Sequence, residues 1–390
     1  MVGSFDFSSI PKILFGKGKL DLLPGLIQKY GKKVLLITGK SSLKSQGKLD
    51  FLCRELKNSG IKYHNNVINK EPSPENVDYI VNQNKNNSID VVVAVGGGSV
   101  IDAGKAVSAM LLINEPIKWY LEGVGEKEHK GIKVPFIAIP TTSGTGSEST
   151  KNAVISEVGG KGFKKSLRHD NFVPDIAIVD PELTISCPPE ITAYSGLDAF
   201  TQLLESYVST KANNLSDSMA IEGLRCIKNS FYKTCKNGNN IEARTDMSYA
   251  AFISGITLAN AGLGVVHGFA SSVGGYFNIA HGIVCGTLMG IANRINIDKM
   301  IAEDPANIAV KKYVNVGKIF AKAQNKEDSY YLNSFLDVVD EWIEKLKIPR
   351  LGKFGIKEGH LEKIVLKTSN KNNPVQLEKE DLMEILKNRL

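Results

Sequence analysis

The 390-residue sequence has no apolar run long enough to cross a bilayer, no paired-cysteine motif and no long block of one charge. The first absence excludes a helical membrane protein, because a spanning helix needs about 20 consecutive apolar residues. Met1 to Phe15 lack a basic stretch followed by a long apolar one, so no secretory signal is expected and the expected location is cytoplasmic. Cysteine is scarce: Cys53, Cys187, Cys226, Cys235 and Cys285 are scattered, odd in number and without a C-x-x-C pair. That pattern excludes a disulfide framework and reads as reduced thiols in core or surface positions. The formal charge of +7 arises from 48 Lys and Arg against 41 Asp and Glu, with both signs interspersed. No long Lys/Arg block with interleaved aromatics appears, so nucleic acid is not an expected partner.

What is present is ordinary globular composition, 42% hydrophobic and 23% charged, at a length that allows two domains with separate cores. The first half alternates strand and helix patterns: strands at Lys12 to Phe15, Val34 to Thr38, Ile61 to Ile68, Val91 to Val95 and Val134 to Ile139, helices at Leu43 to Leu56, Pro74 to Asn84 and Val100 to Leu112. This alternation predicts a parallel, Rossmann-like α/β sheet covered on both faces, with ligands beyond the carboxyl ends of the strands. Pro188 and Pro189 mark a boundary, after which helical patterns follow one another from Ile191 to Leu390. An α/β domain over residues 1–185 and an all-α domain over 186–390 are expected, with Lys367 to Asn373 as a polar loop.

The strand ending at Val95 empties into Gly96, Gly97, Gly98 and Ser99 and then a helix. Free N–H groups at such a helix start suit a pyrophosphate, although a tight turn without ligand has the same pattern. It is neither G-x-G-x-x-G, since Ile101 stands at the third glycine position, nor a Walker motif, since Ala106 follows Lys105. A second polar loop, Pro140 to Glu148, leaves the strand at Val134 to Ile139, so two glycine-bearing loops can form one cleft. The basic run Lys161 to Arg168 could serve an anion such as a cofactor phosphate.

Asp198 and Gln202 lie one turn apart on a helix whose apolar positions, Leu197, Phe200, Leu203, Leu204 and Tyr207, recur at spacings of three and four. His267 is expected to close a second helix begun near Ile253, which Gly274 and Gly275 break, and His281 to open a third. Asp with two His suits a borderline cation such as Zn2+ or Fe2+; satisfied core histidines are the plainer alternative. His64 and His129 read as surface groups, and His169 as structural.

The strings GLDAFTQLLESYVS, LANAGLGVVHGFASSVGG and AHGIVCGTLMG, together with GGGSVIDAGKA and PTTSGTGSE, resemble segments of the iron-containing (group III) alcohol dehydrogenase family across nearly the whole chain. The resemblance implies hydride transfer between NAD or NADP and an alcohol, aldehyde or ketone, assisted by a divalent metal in an interdomain cleft. It implies Gly97, Gly98, Ser99 and Asp102 at the pyrophosphate, and Thr141, Thr142, Thr145, Asn152 and Lys164 along the rest of the cofactor. It implies Asp198, Gln202, His267 and His281 as metal ligands, and a homodimer, with the strand at Ile13 to Phe15 exchanged between subunits. Many NAD-preferring members have an Asp at the Gly39 position; here Gly39, Lys40, Ser41 and Ser42 follow the strand, which admits the 2′-phosphate of NADP. Two departures stand out: Gln202 where the family has a His ligand, and Ser271 where it commonly has another His beside the nicotinamide. No catalytic acid or base is assigned. The related glycerol dehydrogenases and dehydroquinate synthases manage with one carboxylate and two histidines on zinc. A dehydroquinate synthase-like lyase, and a nucleotide-binding chain that has lost catalysis, are the alternative readings.

Overall fold

A computed structural model describes residues 3–40, 43–44, 47–160 and 162–390. The first half contains the strands β1 (Lys12–Phe15), β2 (Lys33–Gly39), β3 (Lys62–Ile68), β4 (Val91–Gly96), β5 (Phe136–Pro140), β6 (Asn152–Glu157), β7 (Phe163–Arg168) and β8 (Ile176–Val179). Between them run α1 (Leu23–Ile27), α2 (Lys48–Asn58), α3 (Pro74–Asn84) and α4 (Gly98–Met110). Six strands form one parallel sheet in the order β1-β8-β5-β4-β2-β3. The β-branched runs pack on both sides because a strand's side chains alternate. Val34 and Leu36 of β2 and Val91, Val93 and Val95 of β4 face a core with α1 and α2, whereas Leu35, Ile37, Val92 and Ala94 face one with α3 and α4. β1 pairs with β8 of its own chain as an edge strand.

β2 leads outward to β3, and β4 leads the other way to β5 and β8, so the order reverses between β2 and β4. Ligands of doubly wound sheets bind at such a reversal. Here it lies between Gly39, the last residue of β2, and the glycine turn after β4.

Within the basic run Lys161 to Arg168, expected to serve an anion, Phe163–Arg168 is the strand β7. β7 pairs with β6 as an antiparallel hairpin beside α4 and α8 (Val265–Tyr276). Its period-two pattern puts Leu167, Ala153 and Ile155 into the α/β core and turns Lys164, Ser166, Asn152 and Val154 to the cleft. The charges mask the alternation in the sequence.

Before α8 come α5 (Pro189–Val208), α6 (Asn214–Lys236) and α7 (Ile241–Ala261). After it come α9 (His281–Glu303), α10 (Ile308–Phe320), α11 (Asp328–Lys345), α12 (Glu358–Val365) and α13 (Lys379–Asn388). Their common core also takes in Ala177 and Val179 of β8, which ties the bundle to the sheet. Among the described residues no single helix is long and apolar enough to cross a membrane.

The break before His267 differs from the expected one. α7 ends at Gly262, whose φ of +71° suits glycine, and α8 starts afresh, so His267 lies in the first turn of a helix instead of the last of another. Buried side chains from elsewhere cap that start: Asn373 Oδ1 accepts Val265 N–H and Glu205 Oε1 accepts Val266 N–H. Gly274 and Gly275 remain inside α8. A Cβ at Gly275 would sit 3.3 Å from Phe163 Cα, so the small residue serves close packing on the hairpin and does not end the helix. The polar stretch at residues 367–373 is a loop, but Asn373 is buried, donating to Asn296 and to the Val375 carbonyl.

Candidate metal centre and cofactor cleft

α4 begins at Gly98 with Gly97 as its extended N-cap residue and no side-chain cap, so no capping side chain occupies the N–H groups of Gly98 and Ser99. The glycines are needed for packing against the second loop: a Cβ on Gly98 would lie 2.6 Å from Thr145 Oγ1, and one on Gly97 3.4 Å from Thr142 Oγ1. The two loops therefore meet as expected. Gly98, Ser99, Asp102, Thr145, Asn152, Lys164, Gln202, His267, Ser271 and His281 all border one cavity of about 250 Å³. An adjoining cleft of about 870 Å³ is bordered by Gly97, Thr142 and Asp198. Thr141 is buried at the end of β5 with its hydroxyl unpartnered, and borders neither space. Gly39 borders neither, and Ser41 lies outside the described residues.

Behind the cleft lies a charged group that sequence reading missed. Lys105 is fully buried and donates to the Ser147 and Asn152 carbonyls at 2.8 Å and to Thr150 Oγ1 at 2.9 Å. Burial pushes its pKa down to about 8 against the attraction of Asp102 and Glu148. The same burial raises Asp102, whose Oδ1 accepts the Ser147 hydroxyl, and pushes Glu148 up to about 7. Lys164 is not a free cation, since its Nζ donates to Glu71 Oε1 at 2.6 Å. Lys105 thus ties the second loop to α4, and Glu71 cancels much of the charge that Lys164 brings to the cleft.

At the other wall, α5, α8 and α9 aim their ligand atoms at one point. His267 Nε2 is 3.4 Å and His281 Nε2 3.6 Å from Asp198 Oδ1. Cys285, one turn after His281, places Sγ 3.8 Å from His267 Nε2, and the four ligand atoms lie within 4.8 Å of one another. Metal–nitrogen bonds of about 2.0–2.1 Å in a tetrahedral site put neighbouring ligand atoms about 3.3–3.4 Å apart, slightly more with sulfur. Asp198 Oδ1 is buried without a hydrogen bond, an orphaned acceptor in a low-dielectric site. The residues fit a divalent ion. Burial works against the Asp198 carboxylate, but His281 and His267 outweigh it and hold its pKa below the ordinary value. Burial also opposes a charged His267, which Cys285, Asp198 and Glu205 overcome, whereas His281 falls to about 4.

Glu205, two turns after Asp198 on α5, completes the centre: its Oε2 lies 2.7 Å from His267 Nδ1. A carboxylate accepts only, so Nδ1 carries a proton, and Nε2 is the nitrogen that an ion would bind by displacing its proton. Sequence reading missed Glu205 and Cys285, although their spacings, i+7 from Asp198 and i+4 from His281, place each on a ligand's face. Gln202 also borders the cavity, with its Oε1 accepting the Ser254 hydroxyl at 2.6 Å. Ser271 donates to the Lys164 carbonyl. His129, expected on the surface, is buried between Tyr120 and Phe172, accepting Gly131 N–H at Nδ1. His169 caps a short turn through Asn171 N–H, the structural role expected.

A glycine turn at a sheet reversal, facing a carboxylate–imidazole cluster across one cleft, is the architecture of a metal-assisted, nucleotide-dependent oxidoreductase. The model of the iron-containing alcohol dehydrogenases matches residues 11–181, and that of the C-terminal part of the Fe-containing alcohol dehydrogenase family matches residues 192–390. The chain belongs to the iron-containing alcohol dehydrogenase family. It is 33% identical to long-chain-alcohol dehydrogenase 1 of Geobacillus thermodenitrificans, over 91% of this chain and 89% of that one. It is 31% identical to the NADPH-dependent butanol dehydrogenase of Clostridium saccharobutylicum, over 96% and 95%. Among solved structures, a 1,3-propanediol oxidoreductase superposes with a TM-score of 0.88 at 25% identity, covering both chains fully. These matches favour the dehydrogenase over the lyase-type alternative.

Proposed function

We propose that this chain transfers a hydride between NADP(H) or NAD(H) and a small alcohol or its carbonyl, using a divalent ion held by Asp198, His267 and His281. The observation that carries the reading is that these three side chains and the α4 N-terminus border one continuous cleft. The division of labour follows a boundary near residue 185: the sheet half binds the dinucleotide and the helical half the ion and substrate. Free N–H groups at Gly98 and Ser99 receive the pyrophosphate, a favourable position for negative charge. Thr142 and Thr145 hold the second loop against that turn, and Asp102 is fixed by Ser147. Leu258 and Leu263 line the cavity next to His267 and limit water at the reacting carbon. When bound, the ion polarises the substrate oxygen as a Lewis acid.

NADP(H) is the better fit at the adenosine end. Gly39 ends β2 beside the reversal point with no carboxylate to repel a 2′-phosphate, and the exposed Lys40 follows it. Metal analysis of the purified protein, with absorbance at the reduced-nicotinamide band for a panel of small aldehydes and both reduced cofactors, tests the reading. The expected result is about one divalent ion per chain and faster oxidation of NADPH than of NADH. Absence of bound metal together with unchanged absorbance for every aldehyde would leave only a nucleotide-binding module.

A further inference from the structure

We infer that Cys285, as a thiolate, is the fourth protein ligand of this centre, in the place expected of Gln202, and that the centre therefore selects zinc over ferrous iron. The inference rests on Asp198, His267 and His281 being metal ligands.

A buried free cysteine usually packs as a small hydrophobe. Cys285 is fully buried, yet its Sγ faces His267 Nε2, the ring nitrogen that Glu205 does not touch. The separation of 3.8 Å is close to the sulfur–nitrogen edge of a tetrahedral zinc site, about 3.6 Å for bonds of about 2.3 and 2.05 Å. Independently, the buried Asp198 Oδ1 within the same cluster lacks any hydrogen-bond donor. Gln202 offers less: it is a neutral amide, and its oxygen already accepts from Ser254.

Softness gives a second reason. Thiolate favours zinc, and an Asp, His, His, Cys set joins the N and S donors that zinc takes tetrahedrally. The thiol proton leaves to water as the ion enters. With Cys285 as a ligand, a substrate oxygen would have to enter as a fifth, an expansion zinc permits.

Cobalt(II) titrated into the chelator-stripped full-length protein reports the ligands directly. Wild type should show intense tetrahedral d–d bands and, at the same stoichiometry, a near-ultraviolet sulfur-to-cobalt charge-transfer band. C285S should lose the charge-transfer band and bind zinc on the order of 10- to 100-fold more weakly, the loss that even an outer partner of a ligand causes. Q202A should keep the band. Wild type offered equimolar zinc and ferrous iron without oxygen should retain zinc. Visible bands without the charge-transfer band would overturn the inference while leaving the metal site standing; no cobalt binding at all would overturn both. Persistence of the band in C285S, or retention of iron over zinc, would also refute it. If C285S fails to fold, the wild-type spectrum decides alone, because zinc outcompetes ferrous iron at nitrogen and oxygen sites as well.

Discussion

Replacing Glu205 with Gln asks how far the metal centre depends on a carboxylate that never touches the ion. Glu205 is buried, with Oε1 2.7 Å from Val266 N and Oε2 2.7 Å from His267 Nδ1. Both partners present N–H groups, and a carboxylate satisfies both. Glutamine cannot. With its amide oxygen toward Val266, its NH2 faces Nδ1 and drives the ring proton to Nε2, the atom aimed at Asp198; turned over, it sets two N–H groups against each other at Val266. The first arrangement keeps both hydrogen bonds but puts a proton on Nε2, and the second loses one buried contact, about 1–3 kcal/mol; either way metal affinity falls on the order of 10- to 100-fold. The assay is zinc competition against a chromophoric chelator, with circular dichroism of the metal-free proteins to show that both are folded. Were E205Q to bind zinc as tightly as wild type, Glu205 would not set the His267 tautomer, and the geometry above would be misread.

In Gly98→Ala the new Cβ would meet Thr145 Oγ1 and Cγ2 at 2.6 Å, so the two loops must part. The cost is about 1–3 kcal/mol; the cofactor dissociation constant should rise while zinc content stays unchanged, and unaltered binding in a fluorescence titration would remove the turn from the cofactor site. Gly39→Asp should lower the ratio of kcat/KM for NADPH to that for NADH by about tenfold or more through repulsion of the 2′-phosphate; a constant ratio would place the adenosine elsewhere. Glu148 supplies the pH prediction. Burial raises its pKa from 4.5 to about 7, so the stability it contributes is complete below 4.5 and is lost as pH rises through 7. At about 1.4 kcal/mol for each pH unit the loss is at most about 3 kcal/mol. Glu148→Gln does not titrate and should therefore gain on wild type across that window; thermal midpoints that differ equally on both sides of it would contradict the assignment.

Much of the fold is legible in the sequence because strand and helix periods are local. β4 reads as a buried strand from its β-branched run, α3 from its proline at the start, and the helix start at His281 from the segment that follows it. Where local signals conflict, the reading fails. Charges hide the alternation of β7, and polar neighbours in the sequence disguise His129, which sits between two aromatic rings inside the sheet half. Gly274 and Gly275 look like a break, but α8 continues through both, whereas Gly262 with positive φ ends α7.

The sequence alone determined that this chain has a parallel sheet with a glycine turn, a helical second half, and Asp198, His267 and His281 as candidates for one ion. Tertiary structure decided what those residues meet. His267 and Glu205 are 62 positions apart and His267 and Cys285 are 18, and the way α5, α8 and α9 pack brings all three together. A helical period states which face a side chain occupies, but not which other helix that face will find. Packing of the apolar faces settles that choice, and the ligand cluster follows from it.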